Sequence, residues 1–89
     1  MQTKKLILKG RVQGVGMRYS IHQKAKELGL FGSVKNLSNG SVEVILQGSE
    51  DKLEAMLFYL NNDAPGQIDR IDQNEVKEAN NYNAFKITF

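Results

Sequence analysis

Three glycines within seven residues, Gly10, Gly14 and Gly16, part an alternating apolar run from a helical one, so the chain must turn sharply between them. Before the turn, Leu6, Leu8, Gly10 and Val12 alternate with Lys5, Ile7, Lys9 and Arg11, the period of a half-buried strand over Lys4 to Val12. After it, Ile21, Ala25 and Leu28 fall at i, i+4 and i+7, which predicts a helix from about Tyr19 to Leu28 with Gly29 just past its end. Between the two lies GRVQGVGMR, residues 10–18. Glycine tolerates positive φ and lets backbone approach a ligand closely. Gly14, Val15, Gly16, Met17 and Arg18 can therefore turn successive N–H groups inward as a nest for phosphate oxygens. The helix start adds orphan N–H donors and the positive end of its dipole. Arg18 can offer the same anion a planar fork of donors. The Gly-x-x-x-Gly-x-Gly spacing lacks the Gly-Lys-Ser/Thr ending of a nucleotide P-loop and does not fit the dinucleotide fingerprint. Taken alone, it reads equally as a plain strand-to-helix turn with Arg18 as a solvated residue at the helix start.

Further along, Gly32 to Leu37 reads as a second strand, followed by Ser38-Asn39-Gly40, whose Asn-Gly pair is a hairpin signal. The return strand, Ser41 to Gln47, places Val42, Val44 and Leu46 on one face. Gly48 ends it, Ser49 is the expected N-cap, and Glu50 and Asp51 suit the positive end of a helix whose stripe is Leu53, Met56, Leu57 and Leu60. Asn61 to Gly66 forms a loop. Ile68 to Lys77 is irregular but carries Ile68, Ile71 and Val76, which favours a strand. Asn80 to Asn83 is turn chemistry, and Phe85, Ile87 and Phe89 alternate in a last strand. Tyr19, Phe31, Phe58, Phe85 and Phe89 are expected in the core or at its edge. His22, off the apolar stripe, is expected to be solvated, as are Lys24, Lys26, Lys35 and Lys52, with Lys35 near enough to the strand end to attract an anion.

This order is the split βαβ arrangement of an α+β, ferredoxin-like sandwich, an antiparallel sheet with two helices on one face. At 89 residues the chain has room for a single domain, residues 1–89. The topology carries a functional consequence. The first two strands point the same way with the third between them, so their C-terminal ends lie at one edge, about 10 Å apart at about 4.8 Å per strand. The glycine loop leaves the first strand there, and Asn36 sits near the end of the second, sharing a face with Val34. Arg18 and Asn36 should meet on the helix-covered side.

The chemistry available at that edge is limited and specific. The chain has no cysteine and one histidine, which excludes disulfides, thiol chemistry and thiolate metal ligands and argues against a protein-built metal site. The opening MQTKKLILKG holds only a three-residue apolar run, too short for a signal-peptide core or a membrane span, so a cytoplasmic protein is expected. A net charge of +2 on scattered residues is a weak bias toward anions and not a nucleic-acid footprint. Aromatics are missing from Lys5 to Val12 and from Ser41 to Gln47, where an RNA-recognition sheet would need them. A nest, an arginine and an asparagine that holds a water meet the demands of phosphoryl transfer, which asks for positioning and electrostatics more than covalent participation. No strong base is nearby, so the leaving group decides the substrate. A carboxylate, whose conjugate acid has a pKa near ~4, leaves without protonation, whereas an alkoxide does not. A carboxylic-phosphoric anhydride therefore suits these residues better than a phosphate ester.

GRVQGVGMRY, followed by GSVKNLSNGSVEV, resembles the two signature stretches of the acylphosphatase family, and the resemblance runs along the whole chain to Phe85-Lys86-Ile87. It implies a ferredoxin-like fold and hydrolysis of acyl phosphates to a carboxylate and phosphate without metal or cofactor. By the same resemblance Arg18 binds the phosphate and Asn36 orients the attacking water. Met17 stands where the family usually has phenylalanine, and Asn39 where aspartate is common. The expected partners are a small acyl phosphate and inorganic phosphate as product and inhibitor, on a monomeric chain that engages neither nucleic acid nor membrane. A phosphate sensor built on the same nest without turnover is the alternative that these residues leave open.

Overall fold

Apolar residues two apart on strands and three to four apart on helices can share one core only if both helices lie on the same side of the sheet, and this is what forms. The computed structural model describes residues 1–77 and 80–89. Its elements are β1 (Gln2–Arg11), α1 (Met17–Leu28), β2 (Phe31–Asn36), β3 (Val42–Gly48), α2 (Glu50–Asn62), β4 (Gln67–Glu75) and β5 (Phe85–Thr88). The sheet order is β4-β1-β3-β2-β5. β1 pairs antiparallel with β3 and β4, and β2 antiparallel with β3. β5 is added alongside β2 in parallel, which makes the five-stranded sheet mixed.

Leu6, Leu8, Val34, Val42, Val44 and Leu46 on the sheet meet Met17, Ile21 and Ala25 of α1 and Leu53, Met56 and Leu60 of α2 in one buried cluster. Fully burying such a Leu or Val contributes roughly 1.5–3 kcal/mol each, which fixes the face on which the helices sit. α1 packs over β2 and β5, and α2 over β3. α1 ends as its sequence predicts. Gly29 adopts a left-handed conformation, and the Leu30 N–H returns to the Ala25 carbonyl at 2.8 Å. The β2–β3 hairpin is closed by Leu37 N–H to the Ser41 carbonyl at 2.8 Å, with Asn39 Oδ1 accepting from Ser41 N–H at 3.0 Å.

The irregular spacing of β4 has a local cause. Leu8 pairs with Ile71 and Gly10 with Ile68, while Lys9 pairs with Arg70, so Asp69 is an extra residue in a bulge. That inserted residue returns Ile68 and Ile71, three apart in sequence, to the same face.

The aromatic expectation needs correction. Phe85 is buried and Phe31 half-buried, but Tyr19, Phe58 and Phe89 are 63%, 66% and 97% exposed and belong to no core. For Tyr19 the reason is that α1 begins at Met17 and buries the Met17/Ile21/Ala25 stripe, which turns residue 19 outward. His22 is likewise half-buried rather than solvated, its ring 6.2 Å from that of Phe85. Among the described residues no helix is long and apolar enough to cross a membrane.

Candidate anion-binding site

Because β1 and β2 are parallel with β3 between them, the loop after β1, the start of α1 and the end of β2 collect at one end of the sheet. A cavity of about 270 Å³ opens there, near the small end of the range for ligand sites. Its polar half is Gly14, Gly16, Arg18 and Asn36, so the two motifs legible in the sequence do converge. Its apolar half is Val12, Met17, Tyr19, Ile87 and Phe89.

The loop is wound as a nest requires. Gly14 has φ +72° and Gly16 +80°, while among the described residues no non-glycine has positive φ, so Val15 between them is of opposite hand. Alternating hand is what turns consecutive N–H groups to one side. Val15 does not line the cavity. Its half-buried side chain packs on the core instead, with Gly66 so close behind it that a Cβ there would strike Val15 and the Arg11 carbonyl. Gly16 is also the N-cap of α1 and has no side chain with which to cap it. The first helical bond is Ser20 N–H to the Gly16 carbonyl at 3.0 Å, so the N–H groups of Met17, Arg18 and Tyr19 precede the intrahelical ladder.

Arg18 is half-buried and, among the described residues, has no acidic partner. Its guanidinium lies over Phe89, whose ring centroid is 5.1 Å from Cζ. Asn36 closes β2 opposite Val42, and its Oδ1 is buried without a hydrogen-bond partner. Leaving such an atom unpaired costs about 1–3 kcal/mol, so the structure holds this carboxamide with unused bonding capacity beside the cavity. Lys35 pairs across the strands with Glu43 at 4.0 Å and lies next to Asn36 on the opposite face, outside the cavity. His22 is outside it too. Among the described residues no group of three or more His, Cys, Asp or Glu side chains is assembled.

Gln13 joins the two motifs. Its Nε2 donates to the Leu37 carbonyl at 2.8 Å and the Ser41 carbonyl at 2.9 Å, tying the glycine loop to the hairpin that follows Asn36. No local pattern signals this contact, since both bonds span more than twenty residues. Nor does spacing signal the placement of Tyr19 or Phe89, because exposure at a cavity rim follows from tertiary packing.

Comparison with known proteins bears on the family and the fold. The family model described as Acylphosphatase matches residues 4–87. An acylphosphatase of Caldanaerobacter subterraneus subsp. tengcongensis is 34% identical over 87 residues, 97% of each chain. One from Picrophilus torridus is 40% identical over 85 residues, covering 93% of this chain and 98% of the relative. The crystal structure of acylphosphatase from Bacillus subtilis superposes with a TM-score of 0.94 at 32% identity, covering all of both chains.

Proposed function

The chain belongs to the acylphosphatase family, whose activity is the hydrolysis of acyl phosphates, and on that premise we propose how its residues divide the work. The phosphoryl group is held by the backbone of residues 14–18 and the Arg18 fork, and Asn36 orients the attacking water. The observation that carries this reading is one cavity lined by an arginine and an asparagine oxygen that, among the described residues, have no acidic partner and no hydrogen-bond partner respectively.

Water forms the new P–O bond while the bond from phosphorus to the acyl oxygen breaks, its electron pair departing on the carboxylate. One water proton stays on the new hydroxyl and the other is taken by a phosphate oxygen, so no protein base is required. Charge on the equatorial oxygens is met by N–H groups, the helix dipole and the guanidinium, all in place before the reaction. The departing carboxylate needs neither an acid nor a Lewis acid, which supports a metal-independent reaction. The nest and both side chains come from one chain, which supports a monomeric enzyme, and we place it in the cytoplasm.

The test is hydrolysis of benzoyl phosphate in excess chelator by the parent, Arg18→Gln and Asn36→Ala. The parent is expected to turn over. Arg18→Gln should lose roughly 10²–10³-fold in rate together with its affinity for inorganic phosphate. Asn36→Ala should lose about 10²-fold in kcat with phosphate affinity nearly intact. Inorganic phosphate should inhibit the parent competitively. Unchanged phosphate affinity in Arg18→Gln would contradict the role of the fork, and a large rise in phosphate Kd with normal kcat in Asn36→Ala would reverse the role given to that residue.

A further inference from the structure

Phosphate recognition uses only half of the cavity. Val12 and Met17, each 1% exposed, are core residues whose edges show through, but Tyr19, Ile87 and Phe89 are different. Tyr19 is 63% and Phe89 97% exposed, with the half-buried Ile87 on the same wall. Exposed apolar side chains scattered singly need no explanation, and Phe58 on α2, 66% exposed, is one of these. Tyr19 and Phe89 instead share a cavity with Arg18.

Each ring also has a partner that limits its motion without covering it. Gln23, one turn along α1, donates from Nε2 to the Tyr19 hydroxyl at 2.7 Å. The Phe89 ring lies 5.1 Å from the Arg18 Cζ. A ring over the guanidinium carbon accepts none of its N–H hydrogen bonds, so Phe89 leaves the donors of Arg18 free for phosphate.

We propose that Tyr19, Ile87 and Phe89 form the acyl subsite and make the enzyme selective for acyl phosphates carrying an aromatic acyl group over those carrying a methyl-sized one. This rests on the phosphoryl group lying against residues 14–18 as proposed above. A single bridging oxygen separates phosphorus from the acyl carbon, so the substituent beyond it emerges beside Arg18, where the neighbouring wall is these three side chains. A flat ring can pack offset or edge-on against both aromatics, whereas a methyl group reaches neither.

The experiment measures kcat/KM for benzoyl phosphate and acetyl phosphate, in chelator, for the parent, Tyr19→Ala, Phe89→Ala and Tyr19→Phe, with Phe58→Ala as a control of similar exposure. The parent should prefer benzoyl phosphate. The benzoyl-to-acetyl ratio should fall about tenfold in Tyr19→Ala and in Phe89→Ala, as expected for one aromatic packing contact, with the Ki for inorganic phosphate unchanged. Tyr19→Phe should keep most of the preference and Phe58→Ala all of it. A ratio unmoved in both alanine variants overturns the acyl subsite and leaves the phosphate site standing. So does an equal fall for both substrates accompanied by a rise in phosphate Ki, which would make the rings props for Arg18. A parent inactive on both substrates overturns the phosphate reading itself.

Discussion

The two helices begin at opposite ends of the sheet, and their first turns are built in opposite ways. α2 leaves β3 through Ser49, an extended N-cap, and carries Glu50 and Asp51 in its first turn. α1 leaves the glycine loop through Gly16 in a left-handed conformation, has no acidic residue in its first turn and places Arg18 second. Neither has a side-chain cap bond; even the Ser49 hydroxyl makes none. The positive end of α2 is thus answered by the chain's own carboxylates, while that of α1 is left open and reinforced by a guanidinium. A carboxylate at the start of α1 would contribute about 0.3–1 kcal/mol to stability. Its absence is consistent with the anion arriving from outside, at some cost in stability of the fold.

A glutamine clip sharpens the contrast between the two ends. At the α2 end, Gln47, 4% exposed, donates to the Thr3 hydroxyl at 3.0 Å and the Asn80 carbonyl at 2.9 Å and accepts from Tyr82 N–H at 3.0 Å. At the α1 end, the two carbonyls bonded by Gln13 also accept backbone bonds, Leu37 from Gly40 N–H and Ser41 from Leu37 N–H. Removing Gln47 therefore strands partners, whereas removing Gln13 strands none and only frees the loop from the hairpin. Gln47→Ala should lower unfolding stability by about 1–3 kcal/mol with kcat unchanged. Gln13→Ala should lose only about 1 kcal/mol, with a fall of roughly tenfold in kcat, since loosening a positioned group is felt in the reaction. Denaturant titration beside steady-state kinetics reads both. Equal effects on stability and rate in the two variants would erase the distinction between the ends.

An acidic residue placed in the open turn tests the contrast directly. Ser20→Asp should raise stability by about 0.3–0.5 kcal/mol through the helix dipole, seen as a higher Tm. It should also weaken inhibition by inorganic phosphate about three- to fivefold, since a new negative charge near the helix start repels the bound anion through partly solvated protein. A variant that is stabilised yet binds phosphate as tightly as the parent would show that the open dipole plays no part in binding.

Most of this arrangement was legible because it is local. The β1 alternation, the α1 stripe ended by Gly29 and the Asn39-Gly40 turn each lie within a dozen residues. The hairpin then forces β3 between β1 and β2, which is why Arg18 and Asn36 could be brought together on paper. The parts that escaped depend on distant neighbours. β4 looked irregular because its bulge is defined against Lys9 and Gly10 of β1. Tyr19 and Phe89 read as core because aromatic character carries no information on whether a partner covers the ring. Gln13 is one polar residue among many until the hairpin arrives above it.

The smallest expected effect lies at the α2 start. Glu50 and Asp51 are both exposed, so their interaction with the helix dipole is screened and short-ranged. Glu50→Gln with Asp51→Asn removes two charges and little volume. The double variant should lose about 0.3–1 kcal/mol at low salt, with kcat and phosphate Ki as in the parent. The loss should shrink toward zero at about 1 M salt, where the Debye length falls to about 3 Å. A loss that persists at high salt would mean that the two side chains act through hydrogen bonds or packing, and the dipole account of α2 would fail. A change in phosphate Ki would be more damaging, because it would mean that the closed end of the sheet communicates with the open one. As built, the molecule gives that signal no short route: α2 starts one sheet length away from Arg18, and its first-turn charges are spent on its own dipole.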